Sequence, residues 1–127
     1  MKLDISSRKD IKDILTTFYE KLLSDEKMLP FFEEIVTNKQ LDHHIEIITD
    51  FWQDILFDTT LYQNNVLQIH KEKHAFTNFK EEHFACWISY LFEVVDNQFK
   101  GLIASKMKNR ATSIAMVMKV KMNLYKK

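Results

Sequence analysis

The chain has 127 residues, 46% of them hydrophobic, and eighteen acidic side chains balance eighteen basic ones, the size and apolar content of a single domain over residues 1–127. One Gly and one Pro are too few turn residues for a β-fold, and Gly101 alone cannot build a dinucleotide fingerprint or a phosphate loop. One cysteine, Cys86, excludes an intrachain disulfide, a C-x-x-C metal clip and C-x-x-C-H attachment of a cofactor.

The apolar spacing predicts an all-α fold of four long helices and a short helical turn. Ser7 can cap a first helix whose residues Ile11, Ile14, Leu15, Phe18, Tyr19, Leu22 and Leu23 recur at three- and four-residue intervals. Ser24 and Asp25 end it, and a turn follows through Leu29, Pro30, Phe31 and Phe32. A second long helix is expected from Thr37 or Asn38, with Leu41, His44, Ile45, Ile48, Phe51, Trp52, Ile55 and Leu56 on its buried stripe. The least regular stretch runs from Asp58 to Lys73. A third long helix from about Asn78 carries Phe84, Trp87, Ile88, Leu91, Phe92 and Val95 inward. The last, Leu102 to Leu124, buries Ile103, Met107, Ile114, Ala115 and Met118.

From Lys100 onward there are eight basic residues and no acidic ones. The simplest reading is a solvated basic face complementing an acidic body, with no nucleic-acid or membrane partner. No run of about 18 uncharged apolar residues occurs, and the first residues do not resemble a signal peptide, so the expected location is the cytoplasm.

Candidate chemistry rests on His43, His44, His70, His74 and His83. Adjacent residues on a helix point about 100° apart, so His44 and not His43 shares the buried stripe with Ile48 and Phe51. Tyr19 and Trp87 likewise bring a hydroxyl and an indole N–H to apolar faces, and three polar tips from three helices suggest a dry pocket with a few aimed hydrogen bonds. His70 and His74 have the spacing of a zinc pair, but Lys71 stands where a zincin has its general-base Glu. His70 fits better as a lone axial metal ligand, because Val66 and Leu67 give its ring an apolar flank. Sixteen aromatic residues supply more flat surface than so short a helical domain needs, which suits a planar cofactor.

These residues resemble the truncated haemoglobins, and among them the third group. The resemblance covers roughly residues 8 to 120. It is carried by Phe18-Tyr19-Glu20-Lys21, by Leu29-Pro30-Phe31-Phe32, by His44 seven residues before Phe51-Trp52, and by Tyr62-Gln63-Asn64-Asn65-Val66-Leu67-Gln68-Ile69-His70. Asn64 and Val66 stand where the family has Gly and Pro. His83-Phe84-x-x-Trp87, Phe99-x-Gly101-x-x-Ala104 and Arg110-Ala111-x-x-Ile114-Ala115 complete it. The resemblance implies a shortened globin, two helices packed over two around noncovalent haem b. It implies His70 as the proximal iron ligand, Phe32 packed on the porphyrin, and Phe18, Ile48, Phe51 and Leu67 among the haem contacts. Tyr19, His44 and Trp87 become the distal polar set.

The function implied is binding of O₂, NO or another diatomic ligand, with NO dioxygenase or peroxidase-like detoxification supported by a reductase, in a monomer or weak dimer. Two alternatives stay open. His44 could coordinate iron opposite His70 in a redox or sensing module, or the chain could be a cofactor-free helical interaction domain.

Overall fold

A computed structural model describes residues 2–37, 39–61 and 80–121, and these are helical with no strand among them. In chain order the helices are α1 (Arg8–Leu23), α2 (Leu29–Thr37), α3 (Leu41–Phe57), α4 (Glu81–Gln98) and α5 (Leu102–Lys121). Helix α1 packs on α3 and on α4, α4 packs on α5, and α5 closes against α3. The result is two helices over two, with α2 bridging α1 and α3 at a corner.

Ser7 caps α1 as its sequence position suggests: its hydroxyl accepts from the Asp10 N–H at 3.2 Å, and the Asp10 carboxylate accepts from the Ser6 N–H at 2.9 Å. The stripe that follows, Ile11, Ile14, Leu15, Phe18, Tyr19 and Leu22, is buried throughout. Arg8 joins α1 to α3 through Glu46 and Asp50, at 2.8 Å each. These partners are half-exposed, so the cluster sets alignment more than it adds stability.

Two boundaries differ from expectation. The turn at Leu29 continues as a nine-residue helix, so Thr37 ends α2 instead of opening the next helix. Lys39 then adopts the left-handed region, φ 56°, and α3 starts only at Leu41. Gly or Asn usually marks such a break, and a lysine gives no warning of it. Helix α4 starts at Glu81, where the His83 Nδ1 accepts from the Lys80 N–H at 2.8 Å.

Asp4, from outside any helix, organises the α4–α5 corner. Its carboxylate accepts from the N–H groups of Ile103 and Ala104, each at 2.9 Å, satisfying two of the donors that the start of α5 would otherwise leave open. The approach depends on Gly101, whose φ is +152° and where an added Cβ would lie 2.4 Å from the Asp4 Cγ. Burial alone would raise the Asp4 pKa, but the hydrogen bonds from Ile103, Ala104 and Ile5 outweigh it and hold the pKa below the usual carboxylate value.

Asp4→Ala should therefore destabilise the fold by about 1 kcal/mol, the usual worth of a helix cap, in urea unfolding at neutral pH. Because the folded pKa is depressed, the cap acts fully above the unfolded-state pKa and is lost as pH falls through the folded value. The difference between wild type and Asp4→Ala should shrink on that acid limb.

Candidate functional site

A cavity of about 30 Å³ lies where the five described helices meet, lined by Leu15, Phe18, Tyr19, Phe32, Ile48, Phe51, Trp52, Trp87, Leu91, Ile114 and Met118. None of these side chains is charged. That volume is room for one or two waters or a small diatomic molecule.

Tyr19 supplies the one hydroxyl in this wall, and it comes from a helix otherwise apolar on that face. Its oxygen lies 2.8 Å from the His44 Nε2, a bond between α1 and α3. Around it the rings pack edge to face: Tyr19 on His44 at 5.2 Å, Tyr19 on Phe32 at 5.7 Å, and Phe18 on Trp87 at 5.9 Å between centroids. Burial pushes the Tyr19 pKa well above the ordinary tyrosine value, so the group is a neutral hydroxyl at any physiological pH. With its single proton it can either donate to His44, or accept from a protonated His44 Nε2 and turn its own O–H toward the cavity. His44 thus acts on the cavity through Tyr19, since the wall contains Tyr19 and not His44.

The structure brings together Phe18, Tyr19, Phe32, Ile48, Phe51 and Trp87, six residues singled out from the sequence, and adds His44 by its bond to Tyr19. His70, Leu67 and His74 lie outside the described residues. His43 is exposed, and His83 packs its ring on Phe31 at 4.8 Å. Sequence reasoning passed over Leu15, Trp52, Leu91, Ile114 and Met118 as wall residues. Trp52 is 3% exposed, and neither its indole N–H nor that of Trp87 has a hydrogen-bond partner among the described residues. A buried donor without a partner is costly, so the Trp52 indole beside this cavity suits a ligand that accepts hydrogen bonds, and the half-buried Trp87 adds a second donor to the same wall. The signal for Trp52 was its place one residue after Phe51, on a stripe wider than one helix contact needs.

The chain is similar in structure to the group III truncated hemoglobin from Campylobacter jejuni, with a TM-score of 0.83 over 99% of this chain and 97% of that one, at 23% sequence identity. This is the truncated-globin fold. No protein-family model matches the sequence, and neither does any curated protein. The truncated-globin fold meets the expectation of two helices over two and sets the cavity of this chain between α1, α3, α4 and α5, with α2 at one edge.

A second polar cluster lies away from the cavity. Tyr90 donates to Asp25, which also accepts from the Lys27 N–H at 2.7 Å, while the Cys86 Sγ lies 3.8 Å from the same carboxylate. The bond to Asp25 raises the Tyr90 pKa to about 12, and burial followed by the Asp25 charge raises that of Cys86. Cys86 is thereby a poor nucleophile, an inert thiol as its place beside Trp87 suggests.

Tyr19→Phe and His44→Leu, alone and combined, should show a coupling energy of about 1 kcal/mol in a double-mutant cycle read by urea unfolding, because each single change leaves a buried polar group without its partner. Additivity of the two changes would mean the bond contributes nothing.

Proposed function

We propose that this chain is a haem-binding globin in which His70 ligates the iron and Tyr19, His44 and Trp87 serve a diatomic ligand on the other side. The observation that carries the reading is the Tyr19–His44 bond in the wall of an apolar, uncharged cavity, within a truncated-globin fold. The wall suits such a group. Phe18, Phe32, Ile48 and Phe51 offer flat or aliphatic surface, and its polar groups are a hydroxyl and two indoles in place of carboxylates. The cavity has the volume of a diatomic ligand and not of a porphyrin, so the proposal leaves the proximal contacts to His70 and Leu67.

Haem, when bound, supplies an iron with a coordination position for O₂, NO or another diatomic molecule. With one cysteine in the chain it would be haem b, held noncovalently. This chain's own part is to exclude water and to aim donors. A ligand that carries partial negative charge is stabilised by the Tyr19 hydroxyl and the Trp87 indole, and their hydrogen bonds oppose its escape. His44 decides whether the Tyr19 proton is available, by accepting it or by donating in its place. Slow escape favours turnover of a bound ligand over transport, so NO dioxygenase or peroxidase-like detoxification is the activity proposed, with a reductase in a reducing cytoplasm. Ligation of iron by the His44 Nε2 would require breaking the bond to Tyr19, which weighs against the bis-histidine alternative.

Absorption spectra test the reading directly. The wild type should take up haem with a Soret band that His70→Ala loses or shifts, and its ferrous form should be five-coordinate and high-spin. A ferrous low-spin spectrum abolished by His44→Leu would replace this proposal with the redox module, and a chain that never acquires a Soret band would restore the interaction domain. In stopped-flow kinetics, Tyr19→Phe and Trp87→Phe should each speed O₂ dissociation about tenfold, the effect of losing one hydrogen bond of ~1.4 kcal/mol.

A further inference from the structure

The charge count assigns α5 a solvated basic face, yet the structure sets something else between the charges. Seven large hydrophobic residues are exposed among the described residues, and five belong to α5 or its N-terminal corner: Leu3, Leu102, Met116, Val117 and Val120, against Val36 and Leu61 elsewhere. The two most exposed, Leu102 at 85% and Leu3 at 74%, both lie at that corner, where the Lys100 N–H donates to the Leu3 carbonyl at 3.0 Å. A helical turn of about 100° per residue lines up Leu102, Asn109, Ser113, Met116 and Val120 as an uncharged outer stripe about 27 Å long. Lys106 and Arg110 follow one flank of the stripe and Lys119 lies toward the other, while Lys108 turns to α4, 5.5 Å over the Phe92 ring. Lys108 is tied to Asp96 at 2.6 Å, whereas Lys106, Arg110 and Lys119 form no ion pair among the described residues. The opposite side of α5, with Ala104, Met107, Ala111, Ala115 and Met118, is buried in the core, so the outer stripe, apolar at Leu102, Met116 and Val120 and polar at Asn109 and Ser113, is spare surface on a helix that is already anchored.

We propose that this outer face of α5, with the Leu3–Leu102 corner, seats the protein on an anionic lipid bilayer as a peripheral contact. The cations on both flanks call for an anionic occupant, and the uncharged centre calls for one that also accepts apolar tips. A bilayer interface meets both along the full length, because lysine and arginine stems reach to headgroups while Leu102, Met116 and Val120 enter the acyl boundary. A second copy presenting its own α5 would set cations against cations. A partner protein would have to offer a matching groove to a convex helix face. No helix among the described residues is long and apolar enough to cross a membrane, so the contact is with the surface alone.

Co-sedimentation with vesicles tests the proposal, using pure phosphatidylcholine and equal parts phosphatidylcholine and phosphatidylglycerol. The wild type should bind the anionic vesicles and not the zwitterionic ones, and added salt should release it. The triple variant Lys106→Ala, Arg110→Ala, Lys119→Ala should bind more weakly by on the order of a hundredfold, about fivefold per cation. Leu102→Ser with Val120→Ser should weaken binding while leaving its salt dependence in place. These residues are at the surface or its margin, and unchanged far-ultraviolet circular dichroism would verify that the variants fold. Equal binding to both vesicle types, no binding to either, or binding that survives both variants would overturn the proposal. So would binding to polyglutamate as strong as to the anionic vesicles, which would assign the face to an acidic polypeptide. Self-association in analytical ultracentrifugation, lost in Leu102→Ser with Val120→Ser, would overturn it by assigning the face to a second copy.

Discussion

Helix α1 lies between α3 and α4, and a polar group that it buries can be satisfied only by what those neighbours bring to it. Tyr19 is that group. Its hydroxyl sits on a stripe otherwise made of Ile, Leu and Phe, and the partner it finds is an imidazole from α3. The bond therefore does two things with one geometry. It removes the cost of burying a hydroxyl, and it leaves at the cavity wall a proton whose direction depends on which nitrogen of His44 carries hydrogen. The alignment that lets the two meet comes from further along the same pair of helices, where Arg8 reaches Glu46 and Asp50.

The cavity exists because large rings cannot fill a junction of five helices as aliphatic side chains can. Tyr19, Phe18, Phe32, Phe51, Trp52 and Trp87 meet edge to face or at the cavity wall, and planar groups crossing at steep angles leave voids between them. The same rings provide donors without charge. A carboxylate there would repel a partly negative ligand, and a lysine would need a counterion in a space too small for one. Charge has instead been kept to the surface, in the α1–α3 cluster and on the flanks of α5.

Two corners hold this arrangement by means that regular helix signals do not reveal. Asp4 caps α5 from a position almost a hundred residues earlier, and the single glycine of the chain sits where its backbone must pass the Asp4 carboxylate. Asp25 does comparable work between α1 and α2, accepting from Lys27, Met28 and Tyr90 at once and so fastening α4 to that turn. In each case one carboxylate satisfies several donors, and its pKa falls as a consequence.

The helical class, the Ser7 cap, the buried stripe of α1 and the cavity residues Phe18, Tyr19, Phe32, Ile48, Phe51 and Trp87 were all legible in the amino-acid order, because local periodicity and residue type report which face of a helix is apolar and where a polar tip interrupts it. The division between α2 and α3 was not legible, since the break falls on Lys39, a residue with no preference for the left-handed conformation it adopts. Nor were the wall residues Leu15, Trp52, Leu91, Ile114 and Met118, which look like ordinary core until five helices converge on one void. Long-range choices belong to the tertiary structure alone: that Asp4 caps α5, that Tyr90 meets Asp25, and that Leu102, Met116 and Val120 are left exposed while the other face of α5 is buried. A sequence records spacing along one helix, whereas these contacts depend on how separate helices are brought together.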